Sequence, residues 1–198
     1  GTALTLAKKV YACQQWAKGH KSGYSDYYVR DWSREVLPEF GRKRVELGCY
    51  SIDAQMHTLE AYTNLLRFWP EKKLEESCRE LVMILCENAY MPGTGRIGGA
   101  FSGDWQCISQ RESFGDDAEA GWFSIVAVEL LHDDMLKERY LHNALRLINR
   151  SLEAGYSPIY HSMADSCCGE IVDRNAVWWT MCEVANGCLV AERIINCD

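Results

Sequence analysis

The sequence repeats one arrangement of predicted helices three times, at intervals of about 60 residues. His57, Glu119 and Glu183, which are 62 and 64 residues apart, each lie in an apolar helix that follows a loop. A loop and a strongly amphipathic helix separate each of them from the next. Long repeats of this kind indicate stacked or ring-forming helical hairpins, because a single hairpin cannot bury its own apolar face. We therefore predict an all-α, single-domain chain over residues 1–198, whose three hairpins form about half of a helical toroid.

Apolar residues at helical spacing set the predicted bounds of the helices. Helices are predicted over about 3–18, 52–69, 71–90, 135–153 and 174–195, with one more that runs from the stretch Ser113–Trp122 to about 131. Two of them carry an apolar stripe and a charged back, which is typical of helices on the outside of a fold. The stripes are Leu74, Cys78, Leu81 and Leu85, and Leu141, Leu145, Ile148 and Leu152.

The connecting segments contain glycine, proline and aromatic residues that favour turns and short hairpins. Residues 23–32 predict a small strand or hairpin, residues 91–112 turns around a short hairpin, and residues 155–173 a polar loop. Pro38 and Gly41 predict a break in the chain, and we expect the basic run Arg42–Arg44 to face solvent.

Composition and charge exclude several classes of protein. Apolar residues make up 47% of the chain, which is enough for a core. The net charge of -7 and the pI near 5.3 argue against nucleic-acid binding, which needs a basic face. We find no apolar run of the roughly 18 residues that a membrane span needs, and no signal-peptide core near the N-terminus. We therefore expect a cytoplasmic protein that handles neutral or cationic small molecules.

The ten cysteines and five histidines show no pattern of metal ligands. No C-x-x-C pair occurs and the histidines are scattered, so we predict no metal site. A chain of this length with a large core does not need disulfides, so we expect reduced thiols.

The stretch Ser113–Trp122, SFGDDAEAGW, brings three carboxylates together at a helix start. Asp116 and Glu119 are three residues apart and share one helix face, whereas Asp117 points elsewhere. Acidic side chains in a first turn match the positive end of the helix dipole, which is a purely structural explanation. A pair of carboxylates beside aromatic residues is also how a sugar site is built. Both explanations stay open at this point.

The other two apolar helices add candidates near their own starts. Asp53 and His57 are four residues apart on one helix face, and Trp178-Trp179 precedes Glu183 by about a turn. A lone histidine is usually an ordinary core or surface residue, and a tryptophan pair is often part of a core. If the three inner helices share a centre, these residues and the two carboxylates of the central helix face one cavity.

Three motifs resemble the N-acylglucosamine 2-epimerase superfamily, and most closely its cellobiose 2-epimerases. They are DAQMHTLEAYTNL at 53–65, SFGDDAEAGW at 113–122 and DRNAVWWTMCE at 173–183, and GYSDYYVRDW at 23–32 is similar to a fourth family segment. The motifs occur in the family's order and spacing over essentially the whole chain. The chain matches the central portion of proteins about twice its length.

The resemblance implies an (α/α)6 barrel that holds a sugar and works without a cofactor. Family members epimerise or isomerise aldoses by removing the C2 proton, forming an enediolate and returning the proton to the other face, with two histidines as base and acid. His57, Glu119 and Glu183 match the family pattern, and Trp178 or Trp179 is implied as a sugar platform. The family's catalytic histidine falls on Asp116 and its asparagine on Asp53. Its second catalytic histidine lies in a C-terminal motif outside this chain.

These matches leave more than one function open. In the first, His57 polarises a sugar oxygen, Asp116 replaces the usual base and Glu119 and Glu183 hold hydroxyls. In the second, the protein binds a mono- or disaccharide without catalysis. In the third, Asp116 and Glu119 are the two acids of a glycosidase. A homodimer or further segments would complete the barrel in each case.

Overall fold

The computed structural model describes residues 1–37 and 45–196. The predicted break at Pro38 and Gly41 and the basic run Arg42–Arg44 lie outside the described residues. About 57% of the chain is helical, in agreement with the predicted helical class. None of the described helices is long and apolar enough to cross a membrane.

All six predicted helices form, and short loops join the second helix to the third and the fourth to the fifth. A π-helical turn, Ile84–Asn88, continues the third helix. The last helix begins four residues later than predicted, because residues 174–177 form a loop in which the Asn175 amide donates to Asp173 Oδ1. The helices are α1 Thr2–Lys18, α2 Ile52–Leu66, α3 Lys72–Met83, α4 Phe114–Leu131, α5 Asp134–Gly155 and α6 Trp178–Ile195.

Small antiparallel sheets occupy the long loops, so the predicted all-α class is correct only for the main architecture. The hairpin predicted within 91–112 forms, while residues 23–32 contribute one bridge, Tyr28 to Glu35, and no strand. The paired strands are β1 Tyr50–Ser51 with β4 Ala100–Phe101, β2 Tyr90–Met91 with β3 Arg96–Ile97, and β6 Tyr156–Ser157 with β7 Ser162–Met163. A three-stranded sheet has the order β5 Arg111–Ser113, β8 Ser166–Cys168 and β9 Ile171–Asp173.

Helix α4 lies at the centre of the described fold and contacts α2, α3, α5 and α6. Of its 18 residues, 13 are buried. Gly121 allows the closest approach, because a Cβ at this position would lie 2.6 Å from the Ala144 carbonyl oxygen of α5. The helix that carries the SFGDDAEAGW motif is therefore held on all sides, which fixes the position of its polar residues.

The outer helices follow the predicted pattern in one case and depart from it in the other. The stripe predicted on α3 is fully buried. On α5, Ile148 of the predicted stripe is buried, whereas Leu141, Leu145 and Leu152 are only half-buried. The other buried residues of α5 are Tyr140, Ala144, Leu147, Ser151 and Gly155. Small Ala144 faces α4 because the two helices approach closely at Gly121, and this contact rotates the buried stripe.

Candidate active site

A cavity of about 770 Å³ lies at the N-terminal ends of α2, α4 and α6. All seven residues proposed from the sequence line it: Asp53, His57, Asp116, Glu119, Trp178, Trp179 and Glu183. The structure therefore brings together, around one cavity, residues that lie up to about 130 positions apart in the chain. This size is within the range of pockets that take ligands of drug size.

The three residues that revealed the repeat occupy equivalent positions. His57, Glu119 and Glu183 are each the sixth residue of a helix, since α2 begins at residue 52, α4 at 114 and α6 at 178. The three helices present their N-terminal ends, and thus the positive ends of their dipoles, to the same space. The repeat in the sequence therefore corresponds to a repeated position in the structure.

Serine caps fix the starts of the first two inner helices. The Ser51 hydroxyl accepts a hydrogen bond from the Ala54 amide at 3.2 Å and donates one to Asp26 at 2.6 Å. The Ser113 hydroxyl accepts from the Asp116 amide at 3.3 Å. Such caps satisfy amides that the helix itself leaves unpaired. They hold the first turns of α2 and α4, which carry Asp53 and Asp116.

Glu119 and His57 face each other across the cavity. The two atoms His57 Nε2 and Glu119 Oε1 are 3.7 Å apart, and the other ring nitrogen of His57 lies 3.2 Å from Glu60 Oε2. Glu119 is only 6% exposed. Burial raises the pKa of the Glu119 carboxyl to about 8, and repulsion from Glu183, Asp116 and Glu60 adds to the rise. At neutral pH the Glu119 carboxyl thus keeps a proton that it can donate.

Glu183 is tied to the central helix. Trp122 Nε1 donates a hydrogen bond of 3.0 Å to Glu183 Oε2. Trp122 closes the SFGDDAEAGW motif on α4, and Glu183 lies on α6. This bond sets the orientation of one carboxylate oxygen and leaves the other for a ligand.

The two tryptophans differ in exposure. Trp178 is 75% exposed, which excludes a core position, while Trp179 is half-buried. The ring of Trp179 lies against the backbone of Gly115, where an added Cβ would overlap it. Glycine at this position therefore lets an aromatic wall of the cavity pack directly onto the start of α4.

We expect Gly115→Ala to displace Trp179 and to lower the free energy of unfolding by about 1–3 kcal/mol, the usual cost of overpacking. Urea unfolding and tryptophan emission check both effects. Gly93→Ala is the control, because an added Cβ there meets nothing within 4 Å. Equal stability and emission of the Gly115 variant and the native protein would contradict the proposed contact.

Asp117 points away from the cavity, as predicted. Its carboxylate accepts hydrogen bonds from Arg96 Nε at 2.7 Å and from the Ile97 amide at 2.8 Å, and it is fully buried. Arg96 also pairs with Glu112 at 2.9 Å. This cluster joins β3 and β5 to α4, so the third carboxylate of the motif has a structural role.

The polar residues on the loop side of the cavity were not predicted from the sequence. They include Arg111, whose Nη2 lies 2.6 Å from Asp165 Oδ2. The pair forms because β5 lies beside β8 in the sheet, and no local signal predicts the pairing of strands so far apart in the chain. In the described part of the chain, no group of three or more His, Cys, Asp or Glu side chains is arranged to hold a metal ion.

Comparison with known proteins supports the resemblance predicted from the motifs. No protein-family model matches the chain. The cellobiose 2-epimerase of Dictyoglomus turgidum is 24% identical over 193 residues, which are 96% of this chain and 48% of that protein. The cellobiose 2-epimerase of Bacteroides fragilis is 27% identical over 172 residues, which are 85% of this chain and 43% of that protein. The chain is related to the cellobiose 2-epimerases.

The fold agrees with that relationship. The structure of a sugar epimerase from a ruminal bacterium superimposes with a TM-score of 0.86 at 21% identity, and the match covers 97% of this chain and 49% of that one. The chain spans about half the length of the curated relatives it matches. The structural match therefore covers about half of that fold.

Two cavity positions are those at which the chain departs from the family pattern that the motif resemblance implies. The resemblance implies a histidine at the position of Asp116 and an asparagine at the position of Asp53. Both side chains line the cavity together with His57 and Glu119. The departures thus lie in the site itself.

Proposed function

We propose that this chain forms part of the active site of a sugar 2-epimerase or aldose isomerase, within an (α/α)6 barrel of which it supplies about half. One observation carries the proposal. The residues that match the epimerase motifs, although distant in sequence, line one cavity at the ends of three helices. The relatives named cellobiose 2-epimerase support the same class of reaction.

The proposed reaction begins with the open-chain sugar and removes the proton at C2. Asp116 takes that proton, and an enediolate forms as the C1 carbonyl oxygen gains negative charge. Glu119, which keeps its proton at neutral pH, and His57 then donate hydrogen bonds to the enediolate oxygens. A second acid, on the part of the barrel that completes the site, returns a proton to the opposite face of C2 and gives the epimer, after which Asp116 releases its proton to water. Return of the proton from Asp116 to C1, with a proton moving from the C2 hydroxyl to the C1 oxygen, gives the isomer.

The remaining residues hold the sugar. Glu183 and Asp53 accept hydrogen bonds from sugar hydroxyls, and the faces of Trp178 and Trp179 pack against the apolar face of a sugar ring. The bond from Trp122 holds Glu183 in the orientation that this role needs.

The two outer edges of the helical array support the proposed half-barrel. Leu6, Val10 and Trp16 on α1 are exposed, as are Leu189 and Ile195 on α6. Exposed apolar residues in such numbers indicate surfaces that another element covers. We propose that further segments of a longer polypeptide, or a second copy of this chain, pack on both edges and close the barrel.

Exchange of the C2 proton tests the reaction. We expect the assembled protein to introduce deuterium at C2 of cellobiose or mannobiose in heavy water, and Glu119→Ala, which removes the donor, to slow the exchange by about 100-fold or more. Nuclear magnetic resonance of the sugar follows the label. Ser124→Ala, a change in α4 at a buried serine bonded to the Ala120 carbonyl, is the control for nonspecific damage to the helix.

A non-catalytic sugar-binding protein is the second candidate, and the aspartate at the position of the usual base favours it. This candidate predicts no exchange by the native protein and none by Asp116→His, while sugar binding persists and falls when Trp178 or Trp179 is replaced by alanine. Exchange by the native protein would exclude it.

A further inference from the structure

Arg111 and Asp165 form a polar pair on the loop side of the cavity, away from the helix ends. Arg111 belongs to β5 and precedes the Ser113 cap of α4, while Asp165 immediately precedes β8. The Arg111 side chain is 51% exposed, whereas Glu119 is buried. The arginine of the pair therefore lies nearer to solvent than Glu119 does.

The pair is held rigidly. Arg111 Nη2 lies 2.6 Å from Asp165 Oδ2, and Arg111 Nε donates to the Ser166 hydroxyl at 3.1 Å. The Ser109 hydroxyl donates to the Arg111 carbonyl and accepts from the Arg111 amide, which fixes the backbone.

Backbone bonds fix the second member of the pair as well. The Asp165 amide donates to the Asp173 carbonyl at 2.9 Å, and the Asp165 carbonyl accepts from the Phe114 amide at 3.1 Å. Both members are therefore positioned before any ligand arrives, which lowers the entropic cost of binding.

The same pair has unused hydrogen-bonding capacity. Within the described part of the chain, Arg111 Nη1 has no hydrogen-bond partner, and a carboxylate such as that of Asp165 accepts several bonds. A planar guanidinium beside a carboxylate presents donors and acceptors side by side. Adjacent hydroxyls on a sugar ring, each of which both donates and accepts, match that arrangement.

We propose that Arg111 and Asp165 are specificity-determining residues, which bind adjacent hydroxyls of the sugar unit next to the reacting one. The inference rests on the proposed function only in taking the cavity as a sugar site. The cavity of about 770 Å³ extends from the cluster around Glu119 and His57 to Arg111 and Asp165, so one ligand can contact both groups. The cluster around Glu119 and His57 then serves the reacting unit, and the pair serves its neighbour.

Binding of two probe sugars, cellobiose and D-glucose, tests the proposal without requiring turnover. We expect Arg111→Gln and Asp165→Asn each to weaken cellobiose binding by about tenfold, as measured by calorimetry or ligand-observed resonance, and to leave glucose binding within about twofold. Arg150→Gln on α5 is the matched control, because Arg150 bonds to Thr94 and Glu153 outside the cavity lining.

The variant Arg111→Lys is a control for misfolding, because it keeps the positive charge beside Asp165 and loses only the planar guanidinium with its paired donors. We expect this variant to fold and to lose part of the preference for cellobiose. Equal weakening of both sugars, or unchanged cellobiose binding, would overturn the proposal. A protein that shows no C2 exchange but keeps the predicted binding pattern would refute the proposed reaction and leave this inference intact.

Discussion

Replacement of Asp117 by alanine is expected to lower the free energy of unfolding by about 3–5 kcal/mol, the usual effect of removing one partner from a buried ion pair. The carboxylate is fully buried and accepts hydrogen bonds from Arg96 and from the Ile97 amide. Its loss leaves the Ile97 amide without this acceptor and the Arg96 guanidinium, 4% exposed, with Glu112 as its remaining carboxylate partner. Arg96 Nη2 already lacks a partner, so the cluster has no spare acceptor among the described residues.

Urea unfolding at neutral pH measures this effect, and the neighbouring residue provides the control. Asp116→Ala removes a carboxylate of the same helix turn that lines the cavity instead of the core. Because the Asp116 carboxylate contributes to helix stability mainly at the first turn, we expect its removal to lower the free energy of unfolding by less than about 1 kcal/mol. A similar loss of unfolding free energy in both variants would mean that the buried ion pair of Asp117 and Arg96 does not account for the effect.

Replacement of Glu119 by glutamine is expected to stabilise the protein, and more so as the pH rises. The pKa of this carboxyl is about 8 in the folded protein, against an ordinary glutamate value of 4.5. Below the lower of these two pKa values the Glu119 carboxyl is protonated in both the folded and the unfolded protein, so it does not reduce the free energy of unfolding. Between the two values the unfolded chain releases a proton that the folded protein keeps, so native stability falls with pH. Above about pH 8 the Glu119 carboxyl of the folded protein also ionises. The difference in the free energy of unfolding between the native protein and the variant then stays constant.

The expected gain of the Glu119 variant reaches roughly 5 kcal/mol above pH 8, because the pKa difference is about 3.5 units and each unit is worth about 1.4 kcal/mol. Urea unfolding of both proteins from pH 5 to about 9 checks it. Glu138→Gln, at an exposed position of α5, should leave the pH dependence unchanged. Parallel stability curves for the native protein and the Glu119 variant would show that burial does not raise the pKa of Glu119.

The helices and the inner face of the site could be predicted because their signals are local. Ser51 and Ser113 are recognisable caps, and the spacing of residues such as Asp116 and Glu119 decides which side chains share a helix face. The separation of Asp117 from that face follows from the same periodicity. The equivalent positions of His57, Glu119 and Glu183 follow from the repeat.

The loop side of the site could not be predicted, because it depends on contacts between distant segments. β5 pairs with β8 at a separation of more than 50 residues, and that pairing alone brings Arg111 to Asp165. The shifted stripe on α5 has a similar cause, since the close contact of Gly121 with Ala144 decides which face turns inward. Neither contact can be predicted from a short stretch of the sequence.

The cavity lies at one end of the inner helices, and short connections between helices lie at the other end. Each named cavity residue lies either within six positions of the start of α2, α4 or α6, or in the loops and strands that precede these helices. The opposite ends of α2 and α4 lead into the short connections at 67–71 and 132–133. Those two turns are therefore suited to the attachment of a spectroscopic label or an affinity tag, because a change there is a full helix length away from the cavity.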